Sequence, residues 1–169
     1  PVDETVVVVG AESGEVRRTC EPYAVRVVEN ADWELGQSTS VVAGLRACAA
    51  QARAAVVLLG DQPLVGAEAV RRLVAAYEQG AKVAVATYGG RFRNPVLFSR
   101  EIWPLLEEEL EGDEGARVVL RRHPELVVEV PCDGTGDPAD VDTRTDLRRL
   151  EEMRGSGVAY KMVEKEEVP

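Results

Sequence analysis

Two rhythms of apolar and polar positions alternate along this chain. Short β-branched runs at Thr5–Val9, Ala24–Val28, Val56–Leu59 and Lys82–Thr87 read as strands. Between them, Glu12–Thr19, Ser38–Ala52 and Ala67–Gln79 repeat at helical spacing, the last placing Val70, Leu73, Val74 and Tyr77 on one face with Gly80 as its stop. Past Gly89-Gly90 the pattern predicts a strand at Asn94–Phe98 and a helix from Ser99 through Pro104 into the acidic run Glu107–Glu109. A helix capped by Asp113 and running through Arg122 follows, then a strand at Leu126–Cys132. Thr143-Arg144-Thr145-Asp146 has the form of a capping box opening a helix that ends at Gly155. Strands alternating with helices predict an α/β fold over residues 1–155, followed by a charged tail at 156–169.

The 169 residues suit one domain with a sizeable core, and 45% of them are apolar. A net charge of −10, with no basic stripe interleaved with aromatics, argues against nucleic acid as a partner. Small anionic ligands stay compatible with that charge, because one metal ion or a few local dipoles outweigh it at short range. Cys20, Cys48 and Cys132 are odd in number and widely spaced, and His123 is the sole histidine, so neither a zinc site nor a disulfide framework is indicated. No apolar run approaches the roughly 20 residues of a membrane helix, and the expected setting is the cytoplasm, without membrane contact.

The most informative stretch is Val56-Val57-Leu58-Leu59-Gly60-Asp61-Gln62-Pro63. An apolar run of this kind reads as a strand buried on both faces. Its abrupt end in Gly-Asp puts a carboxylate where open α/β sheets bind ligands, outside the carboxyl ends of their strands. A second acidic group, Asp137-Pro138-Ala139-Asp140-Val141-Asp142, stands between the last strand and the last helix. Two acidic strand ends can share a magnesium ion, which takes one or two carboxylates and keeps its remaining positions for water and phosphate. Asp61 and Asp142 form that pair, with Asp140 in a weaker position; helix capping is the alternative role for Asp142. The hydroxyl-rich Gly36-Gln37-Ser38-Thr39-Ser40 leads into an apolar helix containing Gly44. Its backbone and hydroxyls suit the edge of a nucleobase, and Ser38 as an N-cap is the structural alternative. No GxxxxGK[ST], GxGxxG, GxSxG or HExxH motif occurs, and His123 reads as a helix C-terminal cap rather than a base.

Taken together, Gly36-Gln-Ser-Thr-Ser-Val-Val-Ala-Gly44-Leu, Leu59-Gly-Asp-Gln-Pro63, Asn94-Pro-Val-Leu-Phe98, Gly112-Asp-Glu-Gly-Ala-Arg117 and Asp140-Val-Asp-Thr143 resemble, in order and spacing, the MobA/MocA-like nucleotidyltransferases, most of all their molybdenum cofactor cytidylyltransferase branch. The resemblance implies a Rossmann-like, three-layer α/β/α fold with a mostly parallel sheet. It also implies transfer of CMP or GMP from CTP or GTP to molybdopterin, with Mg2+ as cofactor, release of pyrophosphate, and a molybdoenzyme as eventual recipient. Asp61 and Asp142, with Asp140, would hold the metal. Gly36, Gln37, Ser38, Ser40, Gly44 and Gly60 would line the nucleotide. Asn94 and Pro95 would lie near the pterin, and Asp113 and Arg117 near its phosphate. Relatives often carry His where this chain has Asn94.

The resemblance begins at the family's second strand. The family opens with a first strand and a loop of the form LAAGxSxRMGxxK, whose backbone N–H groups and two cations wrap the triphosphate. Removing a single such donor can cost about 2.7–4 kcal/mol. The expectation is therefore a fragment of a longer polypeptide, the alternatives being a gap filled by another segment or subunit, or a degenerate relative. Other acceptors, namely phospholactate or a sugar or alditol phosphate, and a non-catalytic cofactor-binding or insertion module are the competing functional readings.

Overall fold

Alternate residues of β4 (Val83–Tyr88) are buried on opposite sides of the sheet. Val83 and Val85 join Val96, Phe98, Trp103, Leu106 and Val119 in one core, whereas Ala84 and Ala86 join Leu97, Ala69, Leu73 and Cys132 in another. A strand apolar on both faces requires a helical layer on each. Helix α3 (Ala67–Glu78) closes one face with Ala69 and Leu73, while α2 (Gln37–Ala47), α4 (Trp103–Glu109) and α5 (Arg117–Arg122) close the other. The three-layer α/β/α arrangement follows from this alternation. The structure, a computed structural model, describes residues 2–155, and the tail expected at 156–169 lies outside them.

The remaining elements are β1 (Val6–Val9), α1 (Ser13–Cys20), β2 (Arg26–Glu29), β3 (Ala54–Val57), β5 (Arg91–Ser99), β6 (Val127–Pro131) and α6 (Arg144–Gly155). Strands β1 and β2 pair in parallel as a two-stranded sheet, and the other four form a sheet in the order β3-β5-β4-β6. In the larger sheet β5 runs against both β3 and β4, while β4 and β6 are parallel, so three of its four strands share a direction. Helix α2 spans the two sheets: Gly44 lies against β1, where an added Cβ would come within 3.1 Å of Val8, and Leu45 enters the larger core.

Three expectations need correction. The strand expected at Val56–Leu59 and buried on both faces is β3 at Ala54–Val57, a half-buried edge strand paired only with β5, and Leu58 beyond it is exposed. Helix α2 stops at Ala47 rather than Ala52, because Cys48 is extended and the next turn is held from outside. Glu4 accepts the Ala49 N–H at 3.0 Å, and Arg100 donates to the carbonyls of Ala49 and Ala52. The strand expected at Asn94 begins at Arg91, since Gly89 and Gly90, both at positive φ, turn the chain straight back along β4. The register then slips: Arg93 faces Ala86 but Val96 faces Val85, which sets Asn94 and Pro95 in a bulge. The capping box at α6 forms as expected, with Asp146 accepting from the backbone N–H and hydroxyl of Thr143 at 2.9 and 2.6 Å. These bonds hold the Asp146 carboxyl below its usual range.

Candidate active site

Strand β3 ends at Val57, and the chain from Leu58 to Gly66 loops across to the segment that follows β6. Backbone contacts stitch the two loops together. Val65 bridges Gly136, Asp137 donates its N–H to the Leu64 carbonyl at 3.0 Å, and Val141 donates to the Asp61 carbonyl at 2.8 Å. Gly66 and Gly136 permit this approach, since a Cβ on either would collide with the carbonyl of Thr135 or Leu64. The stitch brings Asp61 beside the Asp140–Asp142 segment, 80 residues further along, with all three aspartates exposed.

The three carboxylates are not equivalent. Asp140 Oδ1 accepts the Gln62 amide at 2.7 Å. Among the described residues no three acidic, His or Cys side chains gather round one point, so Asp140 does not complete a three-carboxylate cluster with Asp61 and Asp142. Oxygen donors on two exposed, adjoining loops fit a hard divalent cation held by two carboxylates. Gly60 faces open space, with nothing within 4 Å of an added Cβ. Sequence reasoning passed over Gln62, which is 6% exposed and has its Oε1 buried without a partner. Because a carboxylate only accepts, the amide nitrogen must face Asp140, and the oxygen is the atom left over.

A second concavity, of about 200 Å³, lies at the start of α2 and is lined in part by Asn30, Asp32, Ser38, Thr39 and Arg46. Asn30 organises it, donating to Thr39 Oγ1 at 2.8 Å and Ser40 Oγ at 3.0 Å while accepting from the Asp32 N–H. Asn30 was also missed, although it stands just past β2, as Asp61 stands past β3. Ser38 is buried inside the first turn of α2 and is not its N-cap; that position belongs to Gly36, at φ 115°. The carboxylate at this helix start comes from Asp113, whose Oδ1 accepts the Gln37 N–H at 3.3 Å. Asp113 therefore caps α2 rather than the helix that follows it. Gly36 lies so close to Gly112 that a Cβ added at Gly36 would collide with the Gly112 carbonyl, whereas one added at Gly112 would meet open space.

Asn94 is half-buried and Pro95 fully buried at the β5 bulge, while Arg117 opens α5 and borders a further cavity with Gln62, Arg93 and Asp140. Burial pushes the Cys132 thiol up and keeps it protonated, which agrees with the absence of a nucleophilic motif. His123 is bound through Nε2 to Glu109 at 2.9 Å, and that bond raises its pKa. No helix among the described residues is long and apolar enough to cross a membrane.

Residues 1–127 match the MobA-like NTP transferase domain. The chain is 34% identical over 156 residues to the nicotine blue oxidoreductase of Paenarthrobacter nicotinovorans, covering 87% of this chain and 74% of that protein. Among solved structures it resembles Rv0371c of Mycobacterium tuberculosis in complex with manganese, at 30% identity and a TM-score of 0.74 over 90% of this chain and 79% of that one. It also resembles the homologue of that protein from Mycobacterium sp. strain JC1, at 30% identity and a TM-score of 0.76 over 92% and 77%.

Proposed function

Because the chain belongs to the MobA-like NTP transferase domain family, we propose that it transfers CMP or GMP from the triphosphate to a molybdopterin-type acceptor, releasing pyrophosphate. The observation that carries this reading is the stitch between the loops after β3 and β6, which sets Asp61 beside the Asp142 segment at one end of the sheet.

Magnesium held by Asp61 and Asp142 would supply charge neutralisation for the triphosphate and align its α-phosphorus. A divalent ion is supported by the relative crystallised with manganese. The Asn30-ordered hydroxyls of Thr39 and Ser40, with buried Ser38, suit the base and ribose. The cavity beside Gln62, with Arg117 on its wall and Asn94-Pro95 on the neighbouring strand, suits the acceptor. Phosphoryl chemistry of this kind depends on positioning and neutralised charge, so the lack of an activated nucleophile is no obstacle.

Calorimetric titration with CTP and with GTP, with and without magnesium, tests the reading. Magnesium-dependent binding supports it. Failure of a folded sample to bind either nucleotide would overturn it. Phospholactate and sugar or alditol phosphates as alternative acceptors are separated by pyrophosphate release with each.

The 34% likeness to the nicotine blue oxidoreductase favours one second reading, oxidoreduction of that dye or a relative of it. Bleaching of the dye with an added electron donor, in the absence of any triphosphate, would put that reading first.

A further inference from the structure

The cavity beside Gln62, about 340 Å³ in volume, has four ionic residues on its wall: Arg93, Arg117, Asp137 and Asp140. Both acids are already engaged by the chain itself. Asp137 Oδ1 accepts the Ala139 N–H at 2.9 Å, and Asp140 Oδ1 accepts the Gln62 amide. Neither guanidinium has a carboxylate partner among the described residues, and Arg93 donates to the Phe92 carbonyl at 3.2 Å. The wall thus carries two cations and two carboxylates; each carboxylate has one oxygen bonded to a neutral N–H of the chain, and both guanidiniums face the cavity without an ion-pair partner among the described residues. The β5 bulge contributes to the placement of Arg93, because the register slips immediately after that residue, and bulges re-aim the side chains beside them.

We propose that Arg93 and Arg117 clamp the phosphate monoester of the acceptor, Arg93 being the residue that selects a phosphorylated acceptor over its dephosphorylated form. The proposal rests on the nucleotidyl-transfer reading of the adjoining Asp61 edge. Two guanidinium forks offer planar, bidentate contacts to phosphate oxygens, a match that an ammonium does not reproduce. They leave one terminal oxygen of the monoester to react. That oxygen forms a bond to the α-phosphorus of the triphosphate, the bond from that phosphorus to the oxygen bridging the β-phosphorus breaks, and the electron pair departs with pyrophosphate. The second proton of a phosphate monoester, with a pKa of about 6, has already passed to solvent at pH 8, so no protein base is required. Gln62, on the same wall, donates to Asp140 Oδ1 at 2.7 Å and fixes the position of that carboxylate beside the clamp.

The test follows the arginine Nε–H resonances of the full chain during titration with glycerol 3-phosphate, and with glycerol as control. Saturable shifts of the Arg93 and Arg117 signals with the phosphate alone are expected. Arg93→Gln should weaken binding at least tenfold, and Arg93→Lys should recover only part of it. Both substitutions fall at an exposed side chain, so the fold is retained, and the same Arg93→Gln sample should bind magnesium–CTP or magnesium–GTP within twofold of the parent. Glycerol 3-phosphate that leaves both resonances unmoved, or binds Arg93→Gln as it binds the parent, overturns the clamp while nucleotide binding keeps the nucleotidyl reading. Capture of glycerol 3-phosphate by a chain that binds neither nucleotide overturns the nucleotidyl reading, and with it the acceptor role of the clamp.

Discussion

Asp113 accepts a hydrogen bond from the backbone N–H of Gln37, 76 positions away, and so places a carboxylate at the start of α2. The first N–H groups of a helix have no partner within it, and an anion there also meets the positive end of the helix dipole. Asp113→Ala should therefore destabilise the protein by about 1 kcal/mol, a typical loss for a cap. Urea denaturation checks this. If Asp113 instead serves the acceptor alone, stability will be unchanged.

The Asp61 and Asp142 carboxylates are expected to act as a pair. Asp61→Ala and Asp142→Ala should each weaken magnesium-dependent nucleotide binding at least tenfold, whereas Asp140→Ala, at a carboxylate already bonded to Gln62, should change it by less than threefold. Calorimetry at two magnesium concentrations makes the comparison. Equal losses in all three variants would mean that Asp140 leaves Gln62 to join the metal.

Gly136 sits at φ 143°, and an added Cβ would strike the Leu64 carbonyl. A side chain at such a backbone position costs about 1–3 kcal/mol. Gly136→Ala should lower the urea midpoint and loosen the stitch, weakening magnesium-dependent nucleotide binding as well. Gly134→Ala, at positive φ but facing open space, should lower stability without the second effect.

His123 joins Glu109 across the α4–α5 junction and also approaches Glu125 at 3.4 Å. Its bond to Glu109 raises the His123 pKa above the ordinary 6.5, so that stabilisation is complete below about pH 6.5 and fades as pH rises through the folded-state value. The same bond lowers Glu109 below 4.5, so its share is present above about pH 4.5 and fades as pH falls through the folded-state value. The stability difference between the parent and His123→Gln should thus be largest between about pH 4.5 and 6.5 and smaller at pH 8. Urea midpoints across that range decide the matter, and a difference that does not vary with pH would discount the pair.

The alternating apolar residues of β4 and the helical spacing of α3 made the layers legible, since each strand or helix face is written in consecutive residues. Asp61 was legible for a similar reason: a lone carboxylate after a run of four apolar residues stands out. Asn30 and Gln62 did not stand out, because their roles come from bonds to Thr39, Ser40 and Asp140 that no local pattern announces. The same holds for the partner of Asp113 and for the reversed direction of β5. The Gly89-Gly90 signal marked a turn, but the two-residue register slip that sets Arg93 beside Gln62 depends on how β5 pairs with β4.

The division between β1-β2 and the four-stranded sheet has a consequence for isotope exchange. In a parallel pair, alternate amides of β1 point toward β2 and the others point away, and β3 likewise has β5 on one side only. The outward amides of both strands have no ladder partner among the described residues. In deuterated buffer those positions should lose their protons far sooner than their neighbours on β4, which is paired on both sides. The same reasoning applies to β2 and β6, each paired on one side, so β4 and β5 should be the slowest of the six strands to take up the label.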